Sequence, residues 1–455
     1  MSYKLSIVKN KMMKRIINIL ILLCCIASLS SCGNSTEERS RVLKIYNWAD
    51  YIDEDVLAEF PDWYKQQTGE DLRIIYQVFD INEIMLTKIE RGHEDFDVVC
   101  PSEYIIERML RKDLLLPIDR NFGHTPDYIP NVSPYIRHEL NKTSQPERQT
   151  EDYAVPYMWG TAGILFNKKF ITAEEAGTWD ILWDSKNRGK ILMKDSYRDA
   201  YGTAIIYAHA RELADSTVTV EQLMNDNSPQ AIALAEQRLK EMKPNIAGWE
   251  ADFGKEMMTK NKAWINFTWS GDAVWAIEEA DAVGVELDYT VPCEGSNIWY
   301  DGWVIPKYAG NPKAAAYFIN YLCRPDIALR NMDAIGYVSA VATPEIMEAK
   351  RDTAIAMRSD LSYFFGEGVG ADSLQINPVQ YPDRKVVERC AMIRDFGNRT
   401  ELVLEMWSRV KGDNLNTGIV LLIFSVFGVL FVWLVYGKIR KYRQKQRRHR
   451  RRRRR

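Results

Sequence analysis

Cysteine and histidine are scarce in this chain of 455 residues, which contains seven cysteines and five histidines. Three of the cysteines lie near the N-terminus, and the others form no Cys-x-x-Cys pair and have no histidine close by. These others are Cys100, Cys293, Cys323 and Cys390. Transition-metal sites need such ligands at short spacings, so no metal site is expected. The sequence leaves open whether these four thiols are free or form a disulfide.

Catalytic motifs are missing as well. The sequence has no phosphate-binding loop and no Ser-His or Cys-His arrangement, and the histidines before the C-terminal tail are scattered. They are His93, His124, His138 and His209. An enzyme is therefore not predicted, and no cofactor is expected. The enzymatic alternative is a glycosidase-like pair of carboxylates in a cleft, since Asp and Glu are abundant, but no motif supports it.

The longest apolar runs lie at the two ends of the chain. Near the N-terminus, Lys14 and Arg15 precede an apolar run over residues 16–29 that closes on Leu29-Ser30-Ser31-Cys32. This pattern predicts that residues 1–31 are an export signal. Leu-Ser-Ser-Cys resembles a bacterial lipobox, which implies a lipid anchor on Cys32. An uncleaved N-terminal anchor with an incidental cysteine is the alternative.

The C-terminal apolar run covers residues 418–436 and is long enough for about one bilayer crossing. The tail that follows, residues 437–455, contains thirteen Lys and Arg residues and no acid. We therefore predict a transmembrane helix over 418–436 and, by the positive-inside rule, a cytoplasmic tail that touches anionic lipid. A nucleic-acid-binding arm has a similar composition, but a basic tail beside a span is explained more simply as a determinant of topology.

The formal net charge of −2 hides a strongly acidic central part. Between Cys32 and Tyr436 the chain has 42 basic against 62 acidic residues, a net charge of about −20. Such a field concentrates cations and disfavours nucleic acid as a partner. The predicted location is the periplasmic side of a bacterial inner membrane.

From residue 42 onward, short apolar segments alternate with amphipathic ones, which predicts βαβ units and a parallel sheet. The first predicted strands are residues 43–48, 72–78 and 96–100, and the first predicted helices are 53–67, 82–91 and 102–112. Residues 119–150 and the apolar stretch 153–167 are predicted to be the loop and crossover into a second lobe. Its strands are predicted at 190–193 and 263–268, its helices at 199–213 and 220–242, and the return strands at 288–292 and 302–306. Two further helices are predicted at 311–322 and 325–335.

In three segments of the chain, an indole lies within three residues of an aspartate and beside a Gly, Asn or aromatic residue. The three segments are Trp48-Ala49-Asp50-Tyr51, Trp269-Ser270-Gly271-Asp272 and Trp299-Tyr300-Asp301. An aromatic face attracts a cation and its methylenes, while a carboxylate hydrogen-bonds the ammonium. A single pair is more often a core aromatic beside a turn residue. Three such pairs favour a common pocket, and predict a receptor for a small amine.

Six motifs occur in the order seen in the bacterial spermidine/putrescine-binding proteins, and the chain resembles that family over residues 42–411. They begin at Tyr46-Asn47-Trp48, Asp97-Val98-Val99, Val155-Pro156-Tyr157, Trp299-Tyr300-Asp301, Arg324-Pro325-Asp326 and Ile335-Gly336-Tyr337. The resemblance implies a two-lobed α/β fold of the type II periplasmic-binding class, which closes on a polyamine and presents it to an ABC permease. We assign residues 42–155 and 300–345 to lobe 1, and 156–299 and 346–411 to lobe 2.

The same resemblance implies the residues of the site. Asp301 is the expected central ammonium ligand, and Asp199 is expected to face another nitrogen. Asp272 corresponds to a carboxylate of putrescine-preferring members. The residues expected to contact one amine are Trp48, Asp50 and Tyr51; those expected to line the cleft are Ser102 and Tyr104; and those expected to form the walls are Trp269, Trp299 and Tyr337.

The sequence departs from the family at Ala49, where a Thr or Ser hydroxyl is usual, at Ser196, where spermidine-type members carry Asp, and at Ile393, near which they carry Gln. The choice between putrescine and spermidine therefore stays open. A sugar or other small-solute receptor is one alternative, although sugar sites need Arg, Asn and Gln donors where these motifs supply acceptors. A sensor ectodomain is another, but the basic tail contains no output module.

Overall fold

The computed structural model describes residues 39–250 and 253–412, together with residues 425, 426 and 433. The strands of this described part are β1 Val42–Trp48, β2 Arg73–Phe79, β3 Val98–Val99, β4 Leu115–Leu116, β5 Ala154–Asn167, β6 Ile191–Lys194, β7 Ile246–Glu250, β8 Ile265–Trp269, β9 Leu287–Thr290, β10 Ile298–Pro306 and β11 Val338–Ser339.

The α-helices of the first half are α1 Glu54–Thr68, α2 Asn82–Glu90, α3 Glu103–Arg111, α4 Pro134–Asn141, α5 Ala173–Ala176, α6 Asp180–Trp183, α7 Tyr197–Ala208, α8 Ala210–Ala214 and α9 Val220–Asn225. Those of the second half are α10 Pro229–Met242, α11 Gly254–Thr259, α12 Ser270–Ala282, α13 Pro312–Leu322, α14 Pro325–Ile335, α15 Pro344–Ala349, α16 Ser362–Phe365, α17 Arg384–Val387 and α18 Thr400–Gly412.

The strands form one connected sheet in the order β2-β1-β3-β10-β5-β8-β6-β7, with β4 beside β10 and with β9 and β11 beside β5. Strand β1 is parallel to β2 and β3, and β6 is parallel to β7 and β8. The predicted parallel βαβ units are therefore confirmed in both halves. The antiparallel strands β5 and β10 join the two parallel groups.

Strand β5 extends from one half of the molecule into the other. Its first residues pair with β10, and its last residues pair with β8 and β9. The predicted crossover over residues 153–167 is therefore a continuous strand, whereas the predicted loop over residues 119–150 contains the helix α4. Pro156 fits in this central strand because the register with β10 shifts between Asp301 and Gly302, where a missing backbone donor is tolerated.

The buried apolar side chains form two large cores. The first contains residues from 43–159 and 298–392, and the second contains residues from 162–267 and 391–410. A smaller cluster packs between α12 and the sheet. The chain passes between the cores at three neighbouring points, where Ala162 N donates to Asn297 O at 2.9 Å and Ile298 N donates to Ala391 O at 3.1 Å. The passages therefore lie side by side, as in a hinge.

The third passage differs from the sequence-based assignment, which placed residues 346–411 in lobe 2. Leu361, Phe364 and Tyr381 are buried in the first core, and the Phe364 ring stacks on Trp159 with centroids 5.3 Å apart. Between α15 and α18, the only α-helices of this segment are the short α16 and α17, which long loops connect. Its apolar residues follow neither a helical nor a strand period, so only tertiary packing determines which core it joins.

Two predicted helices are interrupted in the structure. Residues 220–242 form α9 and α10, because Ser228 caps α10 by accepting a hydrogen bond from Ala231 N and Pro229 occupies its first turn. Residues 199–213 divide between α7 and α8. The predicted strand 96–100 shortens to Val98–Val99.

The predicted signal at 1–31, the acylation site Cys32 and the basic tail lie outside the described residues, as does nearly all of the predicted span 418–436. Within the described part of the chain, no helix is both long enough and apolar enough to cross a bilayer.

Candidate functional site

Ends of parallel strands from both cores converge on the joining strand β10. Strand β1 ends at Trp48, β6 at Lys194 and β8 at Trp269, where α12 begins. Ligands of parallel sheets gather at such carboxyl ends, because loops and helix N-termini meet there. Predicted site residues that are far apart in the sequence therefore lie in the same region of the fold.

Asp301 lies in the middle of this region on β10 and is only 6% exposed. Its Oδ2 accepts a hydrogen bond from the Tyr51 hydroxyl at 2.8 Å. The Ser102 hydroxyl also interacts with this carboxylate, but Oδ1 is buried without a hydrogen-bond partner of good geometry among the described residues, and no Lys or Arg of that part forms an ion pair with it. Burial raises the pKa of Asp301 to about 6. A buried, uncompensated carboxylate is costly unless a cation reaches it.

Three aromatic rings surround this carboxylate. The Tyr337 ring lies edge-on to both Tyr51 and Trp299, with centroids 5.5 Å apart in each pair. A Cβ atom at Gly160 would lie 2.7 Å from the Trp299 ring, and one at Gly271 would overlap the Tyr337 ring. Both glycines are therefore needed for the rings to approach the sheet and α12 this closely.

Asp199 is a second buried carboxylate, in the first turn of α7. It accepts hydrogen bonds from Asn297 Nδ2 at 2.9 Å and from Trp269 Nε1 at 3.3 Å, and burial raises its pKa. No ion pair to it is seen in the described ranges. Asn297, Trp299 and Asp301 alternate along one extended segment and so point to one face. The two carboxylates and the indole between them belong to one surface.

Asp272 differs from the expectation that it offers its charge to a ligand. Its carboxylate lies 2.7 Å from Lys194 Nζ and 3.4 Å from Lys255 Nζ. Burial opposes its ionisation, but these two ammonium groups hold the pKa of Asp272 below its ordinary value. Tyr337 also hydrogen-bonds Asp272, which links this carboxylate to the aromatic group.

Ser102 and Tyr104 are held by one amide. Asn82 Nδ2 lies 3.0 Å from both hydroxyl oxygens, and the Ser102 backbone forms an isolated antiparallel bridge with Asp301. The Arg198 guanidinium covers the Tyr104 ring at 3.7 Å. Since Tyr104 lies on α3 and Arg198 on α7, this contact joins helices that pack on different cores.

Trp48 and Asp50 occupy less central positions. Trp48 is half-buried, and its ring lies 4.5 Å from Phe79. Asp50 is exposed and has a φ of 49°, a left-handed conformation that aspartate tolerates better than most residues. In the motif Trp48-Ala49-Asp50-Tyr51 it is the hydroxyl of Tyr51, rather than Asp50, that contacts Asp301.

Three polar residues of this region are not predicted from the sequence. Glu103 is buried, accepts a hydrogen bond from Tyr300 N at 3.0 Å, and has its pKa raised to about 8 by burial. Asn297 holds Asp199, and Lys194 pairs with Asp272. Lys194 could have been noticed, because it directly follows the apolar run Ile191-Leu192-Met193 at a predicted strand end. Glu103 was hidden, since an acid in the first turn of a helix is normally an exposed partner of the helix dipole.

The cysteines of the described ranges are free thiols, which answers the question that the sequence left open. The same residues contain no cluster of His, Cys, Asp and Glu suited to a metal ion. A cavity of about 760 Å³ lies elsewhere, beside Tyr135 and Val220, and is lined by none of the predicted residues. The site around Asp301 is instead closed over by its own side chains.

Comparisons with known proteins agree with this arrangement. A family described as bacterial extracellular solute-binding protein matches residues 62–355. The chain is 26% identical over 373 residues to the spermidine/putrescine-binding periplasmic protein of Escherichia coli strain K12, covering 82% of this chain and 92% of that protein. It is 29% identical to the putrescine-binding periplasmic protein PotF of the same strain, covering 69% of this chain and 82% of that protein.

Solved structures give the same result. The spermidine/putrescine ABC transporter substrate-binding protein PotD of Streptococcus pneumoniae superposes with a TM-score of 0.60 at 28% identity, covering 82% of this chain and 99% of that one. The Tp0655 lipoprotein of Treponema pallidum superposes with a TM-score of 0.61 at 23% identity over 81% of this chain and 99% of that one, which supports the fold.

Proposed function

The chain belongs to the bacterial extracellular solute-binding proteins, and we propose that its solute is a polyamine, putrescine or spermidine, which it delivers to an ABC permease. A member of this family binds its solute rather than converting it, so the protein is a receptor and not an enzyme. The choice of solute rests on Asp301. One oxygen of this buried carboxylate has no hydrogen-bond partner among the described residues.

The physical chemistry of a polyamine matches this environment. Its nitrogens resemble the lysine amine and are charged at neutral pH, so each needs an acceptor when it is buried. Asp301 would receive one ammonium. The rings of Tyr51, Trp299 and Tyr337 would cover the methylenes, each of which contributes about 0.8 kcal/mol when it leaves water. Aromatic faces also attract the ammonium groups.

The remaining predicted residues keep their roles as part of the proposal. Asp199 would receive a second nitrogen, since it is buried and has no ion pair in the described part of the chain. Trp269 would form a wall, and its indole nitrogen holds Asp199. At the outer side, Trp48 and the exposed Asp50 would meet one end of the ligand, with Ser102 and Tyr104 lining the cleft. Asp272 is the least suited to contact a ligand, because two lysines already neutralise it.

Ligand entry would need the two cores to move apart. Asp301 and Trp299 are buried, while polar contacts such as Tyr197 OH to Glu83 Oε1 at 2.6 Å connect α7 with α2. We propose two lobes that hinge where the chain passes between the cores, near residues 161, 297 and 391. Such closure would expel water from the site and present one defined shape to a permease.

Calorimetric titration tests the proposed solute. The full-length protein, purified in a non-ionic detergent, should bind putrescine or spermidine at one site without turning it over. Cadaverine measures tolerance for chain length, while lysine adds a carboxylate that Asp301 would repel. A disaccharide tests the sugar-receptor alternative. Binding of the disaccharide by a protein that ignores every polyamine would overturn the assignment, and a solute that triggers signalling without uptake would favour the sensor.

Membrane attachment is a separate part of the proposal. We expect a lipid on Cys32 and a span over residues 418–436, each of which holds the receptor close to its permease. Cys32→Ala should leave the protein in the membrane fraction, because a transmembrane helix inserts effectively irreversibly. Truncation after residue 412 should also leave it there, held by the lipid. Only the combination should release it into the soluble fraction, as followed by immunoblotting; release by Cys32→Ala alone would refute the span.

A further inference from the structure

Lys194 is a buried ammonium at the end of β6, with only 2% of its side chain exposed. Its Nζ lies 2.7 Å from Asp272 Oδ2, 3.5 Å from Glu250 Oε1 and 4.7 Å from the centroid of the Trp269 ring. An ammonium on an indole face with a carboxylate beside it is the arrangement that a bound amine requires. The protein supplies one such ammonium itself.

Charged side chains of the protein itself surround Lys194. Asp272 and Glu250 are both buried, and the second ammonium near Asp272 is Lys255, at 3.4 Å. Among the described residues, two acids therefore meet two lysines at this end of the site. The buried acids of the candidate site that form no ion pair with another described residue are Asp301, Asp199 and Glu103, and burial raises the pKa of Glu103 to about 8, so Glu103 is neutral at pH 7. The buried part of the site can thus compensate two further positive charges, because the other acid that we place against the ligand, Asp50, is exposed.

We propose that Lys194 is a built-in counter-ion that occupies the position of a third ammonium, and that it makes the receptor select diamines over triamines. This inference rests on the proposed polyamine function. A triamine would have to displace Lys194 from Asp272 or bury a nitrogen without an acid, and an unpaired buried ammonium is strongly unfavourable. A site that offers no buried partner to a third ammonium gains specificity from the ligand that it rejects.

Lys194 also contacts the part of the site that is left for the ligand. Its ammonium lies over Trp269, and the indole nitrogen of Trp269 donates to Asp199. The lysine therefore occupies the ring face that a longer ligand would cover. Removing its charge should open both that face and the carboxylate of Asp272.

The test compares putrescine and spermidine by calorimetric titration of the full-length protein in non-ionic detergent. Wild type should bind putrescine at least about tenfold more tightly than spermidine, since close buried charge pairs carry coupling of this size. Lys194→Gln should shift the ratio of the two dissociation constants towards spermidine by about tenfold or more. The matched control is Lys255→Gln, which removes the more exposed partner of Asp272 and should change the ratio by less than about threefold.

Lys194→Gln could fold poorly if Asp272 is left unpaired, and a second variant is designed for that outcome. Lys194→Gln combined with Asp272→Asn removes both charges, so it should fold and should keep the preference for putrescine. An unchanged ratio in a folded Lys194→Gln protein, or a wild type that prefers spermidine, would overturn the inference alone. Absence of all polyamine binding by wild type would instead refute the proposed function, and the inference with it.

Discussion

Asp301→Asn is expected to weaken polyamine binding by about 100-fold or more, because removing one partner of a buried, hydrogen-bonded charge pair costs about 2–5 kcal/mol. Asparagine has the shape of aspartate and can still accept the hydrogen bond that the Tyr51 hydroxyl donates at 2.8 Å. The loss should therefore come from the missing charge rather than from altered packing. Calorimetric titration of the variant with putrescine and spermidine measures it.

The ligand-free variant should be at least as stable as wild type. Burial raises the pKa of Asp301 to about 6, so the folded chain holds the proton more tightly than the unfolded chain does. Ionised Asp301 therefore destabilises the ligand-free fold by about 3 kcal/mol above pH 6, and this cost disappears as the pH falls towards 4. Asparagine carries no such cost. A thermal unfolding scan at about pH 8 should show an equal or higher Tm for Asp301→Asn.

The control for Asp301→Asn is Asp281→Asn, an exposed position on α12 that changes the net charge equally. It should bind polyamines with wild-type affinity, because a screened surface charge has little effect at this range. If Asp301→Asn also retained wild-type affinity, the ligand would have to bind elsewhere in the molecule. Equal weakening by both variants would show that only the overall acidic field matters.

Affinity for putrescine is expected to fall by up to about tenfold for each pH unit below pH 6, because the cation binds ionised Asp301 and protonation removes that charge. Between about pH 6 and pH 7 the Asp301 carboxylate becomes fully charged, so the dependence of affinity on pH should flatten. The diamine stays doubly charged over this range, so the pH dependence of the affinity reflects titration of the protein and not of the ligand. Titrations between about pH 5 and pH 8 measure it.

The other titratable groups around Asp301 favour the same direction of the pH dependence, with weaker binding at lower pH. Burial raises the pKa of Glu103 to about 8 and raises those of Tyr51 and Cys100 above their ordinary values, so all three are neutral where Asp301 titrates. Burial also raises the pKa of Asp199, which adds to the loss of affinity on the acid side. Asp301→Asn should flatten much of the profile. A profile that rose as the pH fell would contradict a cationic ligand at this site.

Local sequence patterns were sufficient for most elements of the fold. The strand Val42–Trp48 and the helices Glu54–Thr68 and Pro325–Ile335 lie within a residue or two of their predicted bounds. Their apolar periods, caps and proline positions are encoded in neighbouring residues. The segment 346–392 has no such period. It packs in the first core because its apolar side chains cover apolar surface that the regular elements leave exposed there.

The sequence by itself determined that indoles and aspartates recur close together along the chain, and this was enough to suggest an amine and to select Trp299 and Asp301. Only the tertiary structure decided which acids remain uncompensated. Asp272 and Asp301 look equivalent in sequence, yet Lys194 neutralises the first, while Tyr51 merely hydrogen-bonds the second. The physical reason is that the charge of a side chain is known from the residue itself, whereas its counter-ion lies on another element that approaches it only in the folded protein.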